Sequence, residues 1–345
     1  MLKFKISKRI VSENSPPLII PEIGINHYGN LDMAIYLADC AIKNGAEIIK
    51  HQTHIPDDEM SFEARRVIPE NAKTSIYNII KKNCLTEDQE IKFCNYVRSK
   101  KIIYISTPFS RLSAERLVRL KVPAFKVGSG EANNFHFIKF LCKFKKPIIL
   151  STGMNTLNNL KKSIDVILKK KIPLAILHCT NIYPTPSKYI RLGCIELIKK
   201  KYPNCIVGLS DHSENIYNSL GAVALGARII EKHFIDSKKR KGPDISSSMD
   251  INEFKELLKG SSVIFDARGS SKEPLREESK TMAFAFSSVV SLEDIYPGQN
   301  LTKTNIFLKR PGTGDYGVND LGNLYGKKVK MFIKANTQIK KKQLI

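Results

Sequence analysis

The chain has 345 residues, 42% hydrophobic and 26% charged, and 56 Lys and Arg against 33 Asp and Glu give it a formal charge of +23. That suits a globular protein with a sizeable core, in one large domain or two. With no run of 18 or more apolar residues, no transmembrane helix and no membrane partner are expected. The basic N-terminus, MLKFKISKRIVSENSPP, lacks the apolar stretch of a signal peptide. Lys-rich clusters at 169–171, 199–201, 238–241 and 340–342 are spread along the chain, not gathered in one arm, and there is no Trp. Solvated faces are expected rather than a nucleic-acid surface, and the field they create attracts small anions. The seven dispersed cysteines contain no C-x-x-C, so reduced thiols in a cytoplasmic protein are expected.

Short apolar runs alternate with helix-like stretches along the first part of the chain. The candidate strands are LIIPEIGIN (18–26), EIIKHQT (47–53), IIYIST (102–107) and AFKVGS (124–129), then PIILST (147–152), LAILHCT (174–180), CIVGLSDH (205–212) and RIIEKHF (228–234). After the first comes a segment in which Leu31, Ile35, Ala38, Ala41 and Ile42 share a helix face, with Asn30 as N-cap and Gly45 as stop. Residues 115–120, 135–144 and 163–170 read alike. The long gap from 54 to 101 holds a helix near 87–99 and a polar excursion with the character of an active-site loop. Eight strands alternating with helices predict a closed (β/α)8 TIM barrel over residues 1–266, with an open doubly wound sheet as the alternative. No G-x-G-x-x-G follows the first strand, so a dinucleotide fold has no support. Residues 267–283 read as a polar linker. Residues 284–345, with short β-like runs and the turns PGQN and PGTG, read as a small β-rich domain.

RIIEKHF carries a carboxylate and an imidazole at the downstream end of a hydrophobic strand. Glu231 and His233 fall on one face because side chains alternate. The other strands end in the same way: Glu22 and Asn26; Lys50, Gln52 and His54; Ser106 and Thr107; Lys126 and Ser129; Ser151 and Thr152; His178, Thr180, Asn181 and Tyr183; Ser210, Asp211 and His212. The C-terminal strand ends of a barrel form its active-site face, and burying unpaired polar groups there without a ligand is costly. Lys50 and Lys126, with Ser129, Ser151 and Ser210, predict a phosphate nest. His212 and His233, on adjacent strands, predict two ligands to one divalent metal with open positions, Mn²⁺ or Mg²⁺ rather than structural zinc.

The stretches IIPEIGINHYGN, IIKHQTHIPDDEMS, YISTPFSR, KVGSGEANN, ILSTGMN, LHCTNIYPTP, GLSDHS, EKHF, KGPD and KRPGTGD run in order from about residue 18 to the C-terminus. Together they resemble the bacterial sialic acid synthases (N-acetylneuraminate synthases). The resemblance implies a TIM barrel followed by an antifreeze-like SAF domain. It implies condensation of phosphoenolpyruvate with an N-acetylmannosamine-type sugar and water, releasing phosphate. It implies a divalent metal, Mn²⁺ first with Mg²⁺ or Co²⁺ as substitutes, held by His212 and His233. Lys50, Lys126, Ser129, Ser151, Asn181 and Ser210 would bind phosphoenolpyruvate. Glu22, Gln52, Asn71, Tyr183, Glu231 and Asp244 would serve the sugar or the proton transfers. The resemblance further implies a domain-swapped homodimer, in which Arg310 of one chain meets the sugar's N-acetyl group in the other chain's site. Three positions depart from the common pattern: Tyr28, where a small polar or acidic residue is frequent, Ala132 for Cys, and Ile235 for Thr. The related synthases of legionaminic and pseudaminic acid are the alternative.

Overall fold

Eight parallel strands close on themselves in the computed structural model, which describes residues 3–69 and 73–345. Two short strands precede them, β1 (Lys3–Ile6) and β2 (Arg9–Ser12). The barrel strands are β3 (Leu18–Gly24), β4 (Ile48–Thr53), β5 (Ile103–Pro108), β6 (Phe125–Val127), β7 (Ile148–Ser151), β8 (Leu174–Cys179), β9 (Ile206–Asp211) and β10 (Ile229–His233). Each falls on one of the eight apolar runs, with ends that differ by no more than two residues. The sheet closes where β10 pairs with β3, Ile229 opposite Leu18 and His233 opposite Glu22. The TIM barrel predicted from the alternation is therefore present, and the open doubly wound sheet is not.

Helices flank the barrel: α1 (Leu31–Lys43), α2 (Pro56–Glu59), α3 (Ile76–Asn83), α4 (Glu87–Ser99), α5 (Arg111–Arg119), α6 (Phe135–Leu141), α7 (Lys161–Lys169), α8 (Cys194–Lys201), α9 (Tyr217–Ala224) and α10 (Ile251–Ala267). Side-chain caps start several of them. Asn30 accepts from the Met33 amide, and Thr86 with Gln89 forms a capping box on α4. The polar excursion after β4 is partly helical, through α2 and a 3-10 turn at Phe62–Arg65.

Two apolar layers follow from strand alternation. Side chains facing the helices, among them Ile19, Ile49, Tyr104, Ile176 and Ile230, pack with the inner faces of the helices. Side chains facing inward, Leu18, Ile20, Ile48, Ile105, Ile149, Leu177 and Ile229, fill the barrel's lower half. Phe4, Ile6 and Val11 of the β1–β2 hairpin join that inner cluster and cap the end where the strands begin. The sequence reading found no element there. Gly208 is obligatory in β9, because a Cβ would lie 2.2 Å from the Ile229 carbonyl oxygen.

Polar groups on the outward face of the strands are paired. Glu90 of α4 accepts from the Tyr104 hydroxyl at 3.0 Å, Arg116 Nη1 at 3.3 Å and the Thr53 hydroxyl, beside His51. Lys232 of β10 lies 3.3 Å from Asp211 of β9 and donates to the Ser213 carbonyl at 2.5 Å.

The chain divides into two units, Met1–Gly269 and Ser270–Ile345. The stretch read as linker is partly helical, since α11 spans Ser279–Ala285. It carries no buried residue, which is why no apolar periodicity marked it. In the second unit β11 (Ser288–Ser291) pairs antiparallel with β12 (Ile306–Lys309). Val289, Ile295, Leu301, Ile306, Val329, Ile333 and Ile339 form its core.

Candidate active site at the barrel mouth

Inward-facing residues at the C-terminal strand ends line one cavity of about 130 Å³. Its acidic and basic members are Glu22 (β3), Lys50 (β4), Lys126 (β6) and Glu231 (β10), with His212 and His233 beside them. Gln52, Ser129, Ser151, Asn181, Tyr183 and Ser210, also singled out in the sequence, line it too. Thr107, Phe109, Gly128 and Gly130 also line it. Phe109 and the glycines carry no polar group for strand-end reasoning to notice.

The two lysines are not free cations. Lys50 donates to Glu22, whose Oε1 also accepts from Gln52 Nε2 at 2.7 Å. Glu231 Oε1 lies 3.6 Å from Lys50 Nζ and 3.5 Å from Lys126 Nζ, and accepts from the Ser210 hydroxyl at 3.3 Å. The predicted nest is thus a balanced set of two ammoniums and two carboxylates. Burial works against the Glu22 carboxylate, but the Lys50 ammonium, aided by His233, outweighs it and holds the pKa well below the usual range. Burial likewise works against the Lys50 charge, and Glu22 and Glu231 overcome it, so its pKa rises. At Lys126 burial prevails over Glu231, and the pKa falls.

Four buried polar atoms at the mouth have no hydrogen-bond partner among the described residues: Thr107 Oγ1, Ser151 Oγ, Glu231 Oε2 and His233 Nδ1. Such groups are rare in a finished core and common where a ligand completes the bonding.

The imidazoles of His212 and His233 are tilted neighbours with centroids 5.6 Å apart. His212 Nδ1 lies 3.0 Å from the Thr180 carbonyl oxygen. A proton held there by the carbonyl leaves Nε2 with a lone pair. The Tyr183 hydroxyl lies 3.1 Å from that Nε2, with the two rings stacked. His233 Nε2 is 3.9 Å from Glu22 Oε2 and its Nδ1 is 3.7 Å from Asp244 Oδ2. Among the described residues no group of three or more His, Cys, Asp or Glu side chains is arranged to hold a metal. The donor set is two imidazoles, which fits an ion completed by water or substrate oxygens.

Several strand-end residues face the helices instead. His178 gives Nε2 to the Ile190 carbonyl at 2.6 Å, the Ser106 hydroxyl lies 2.7 Å from that of Thr53, and Asp211 pairs with Lys232. Thr152 donates to the Leu177 carbonyl, and Asn26 donates to the Phe234 carbonyl. His54 lies 3.0 Å from Glu59 on α2. Cys179, which the sequence reading passed over, faces inward with Sγ 3.7 Å from His212 Nδ1. Its pKa is lowered although burial opposes this, chiefly by His212. Asn71 lies outside the described residues. Arg310 is an exposed residue of the second unit. Tyr28 takes a left-handed φ of 55°, a conformation that favours small polar residues over aromatic ones.

A family model described as the NeuB family matches residues 37–273, and a SAF domain model matches residues 286–345. The chain is 33% identical to the N,N'-diacetyllegionaminic acid synthase of Campylobacter jejuni over 86% of this chain and 91% of that one. It is 31% identical to the human N-acetylneuraminate-9-phosphate synthase over 96% and 93% of the two chains. Among solved structures, the N-acetylneuraminic acid synthetase of Leptospira borgpetersenii matches with a TM-score of 0.74 and 26% identity, over 81% of this chain and 95% of that one. The chain belongs to the NeuB family, as a TIM barrel followed by a SAF domain.

Proposed function

We propose that this protein is a sialic acid synthase, joining phosphoenolpyruvate to N-acetylmannosamine and water to give N-acetylneuraminic acid and phosphate. The observation that carries the reading is the mouth itself, where two ammoniums, two carboxylates and two imidazoles surround four unsatisfied polar atoms. Its 130 Å³ floor is smaller than the roughly 300–1,000 Å³ of most ligand pockets. It suits the three-carbon acid, with the sugar lying above it, toward Gln52, Tyr183 and Asp244.

In this reading Lys50 and Lys126 take the phosphate, with Ser129, Ser151, Asn181 and Ser210 donating to phosphate or carboxylate oxygens. The C2–C3 π electrons of phosphoenolpyruvate form the new bond from C3 to the aldehyde carbon of the open-chain sugar, leaving C2 cationic and an alkoxide that becomes a hydroxyl by taking the proton the added water releases. Water then adds to C2 and loses its proton to Glu22 or Glu231. Cleavage of the C2–O bond expels phosphate, which takes the proton of the C2 hydroxyl as that oxygen becomes the carbonyl of the 2-keto acid. Glu22, held ionised by Lys50, is a weak base until that ammonium turns to the phosphate, and only then takes up a proton readily. Glu231, which touches both lysines, loses these contacts as the phosphate takes them. A divalent ion held by His212 and His233, Mn²⁺ with Mg²⁺ or Co²⁺ as substitutes, would supply Lewis acidity toward a carbonyl oxygen. The active form is a cytoplasmic homodimer in which the partner's SAF domain brings Arg310 to the sugar, which Asn71 also serves.

The identity to a legionaminic acid synthase favours a second reading, the same chemistry on a 2,4-diacetamido hexose. The test is phosphate release from phosphoenolpyruvate by metal-stripped protein, with Mn²⁺ added back, against each sugar in turn. Release with N-acetylmannosamine and formation of the nine-carbon keto acid support the first reading. Release only with the diacetamido sugar supports the second, and no release with any sugar overturns both.

A further inference from the structure

A second polar cavity, of about 440 Å³, opens at the opposite end of the barrel and is lined by Glu13, Lys199, Arg228, Phe265 and Arg268. Arg228 immediately precedes β10, Glu13 directly follows β2, Lys199 is on α8 and Arg268 caps α10. All belong to the first unit. Arg228 is only 5% exposed. Its Nη2 donates to the Glu13 carbonyl at 2.9 Å, but Nε and Nη1 have no hydrogen-bond partner among the described residues. Its guanidinium sits over the Phe265 ring, 5.2 Å from the centroid. Lys199 and Arg268 close on Gly226, whose φ is +102°. A Cβ there would lie 3.4 Å from Arg268 Nη2 and 3.9 Å from Lys199 Nζ.

One carboxylate offsets this charge: Glu13 Oε1 lies 2.9 Å from Lys199 Nζ. Three cations less one carboxylate leave two formal positive charges around the cavity. Burial and then repulsion by Arg268 pull the Arg228 pKa down to about 10. A buried cation with two idle donors does not stabilise a fold by itself. The missing partner is an anion with several acceptor oxygens, which a guanidinium fork matches.

We infer that Arg228, Arg268 and Lys199 form a binding site for a phosphate-bearing small molecule at the N-terminal end of the barrel, remote from the mouth. The cavity has room for more than the phosphate group, so a phosphomonoester fits as well as the free ion. The two sources are separated by using inorganic phosphate and glucose 6-phosphate as probes.

The test is calorimetric titration of both probes into the full chain at low ionic strength. Lys126→Met is the background, chosen to weaken phosphate binding at the mouth. Phosphate is expected to bind this variant, and adding Arg268→Gln and Lys199→Gln should weaken binding by about tenfold to a hundredfold, as loss of charged hydrogen bonds implies. Tighter binding of glucose 6-phosphate than of phosphate would identify a phosphomonoester site, and the reverse order a site for the free ion. Thermal unfolding gives a second readout. Arg228→Met should hold or raise the phosphate-free Tm, and should remove the phosphate-induced rise. Unchanged affinity for both probes in the triple variant, or binding of neither probe to Lys126→Met, overturns the proposal.

Discussion

Glu231 holds its carboxylate 3.5 Å from the ammonium of Lys126, although β10 and β6 stand half a barrel apart in strand order. The contact spans the floor of the mouth and sets the lysine where a departing phosphate would need it. Lys126→Met should lower the phosphate-release rate by about a hundredfold or more, the scale of losing one preorganised charge donor. Because burial already disfavours its charge, Tm should hold. Steady-state turnover and thermal unfolding of the same preparation check both, and a rate within about tenfold of wild type would contradict the role.

His233 offers a test of the metal. Chelation should abolish phosphate release by the wild type, and Mn²⁺ should restore it. His233→Ala should stay inactive when Mn²⁺ returns, and its Mn²⁺ affinity, read by electron paramagnetic resonance, should fall by at least about tenfold. Near-normal kcat in this variant would sink the assignment.

Lys232 sits between those two catalytic candidates in sequence and faces the other way. Lys232→Met takes the counter-ion from buried Asp211, which keeps only the hydrogen bonds from the Ser213 amide and the Ser219 hydroxyl, and should cost up to about 3–5 kcal/mol, measured by urea unfolding. Turnover of the folded fraction should be unchanged. A large loss of kcat with full stability would show that the residue acts at the mouth after all.

Glu90 predicts a pH dependence. Burial opposes its charge, but His51, Thr53 and Arg116 hold its folded pKa below the ordinary 4.5. The unfolded chain therefore takes up this proton first as pH falls. Stability from Glu90 is complete above about pH 4.5 and is lost as pH drops through the folded value. Glu90→Gln should be less stable at neutral pH, and should show a shallower loss of stability with acid. Parallel acid-unfolding slopes for the two proteins would refute it.

Phe4 tests the hairpin beneath the barrel. It is 1% exposed and belongs to the barrel's inner cluster. Phe4→Ala should cost about 3–5 kcal/mol in denaturant unfolding. A cost below about 1 kcal/mol would mean that the hairpin is not part of the core.

The barrel was legible because each strand is a short run of Ile, Leu and Val followed by polar residues. The site was legible only in part. Glu231 and His233 could be placed on one face by alternation, yet His178, Ser106 and Asp211 sat at equally polar strand ends and face the helices. A sequence shows that two residues share a face, but choosing the inner face needs an anchor such as Leu177 or Leu18, whose packing only the closed barrel reveals. The hairpin was missed because its apolar residues, Phe4, Ile6 and Val11, alternate with lysines and an arginine in a stretch that reads as a basic tail. The balance of charge at the mouth was missed for another reason. Lys50, Glu22 and Glu231 are far apart in the chain, and only strand register brings them together.

That register has a consequence for how the protein is made. The seam between β3 and β10 sets Glu22 opposite His233, so the first and last strands of the barrel must meet before the mouth exists. On the ribosome, Glu22 and Lys50 emerge early and wait for Glu231, with most of the first unit still to be synthesised. Contacts across such long stretches form late and slowly. Activity should therefore be the last property a nascent chain acquires, and any truncation between β9 and residue 229 should leave an open sheet with two unpaired edges.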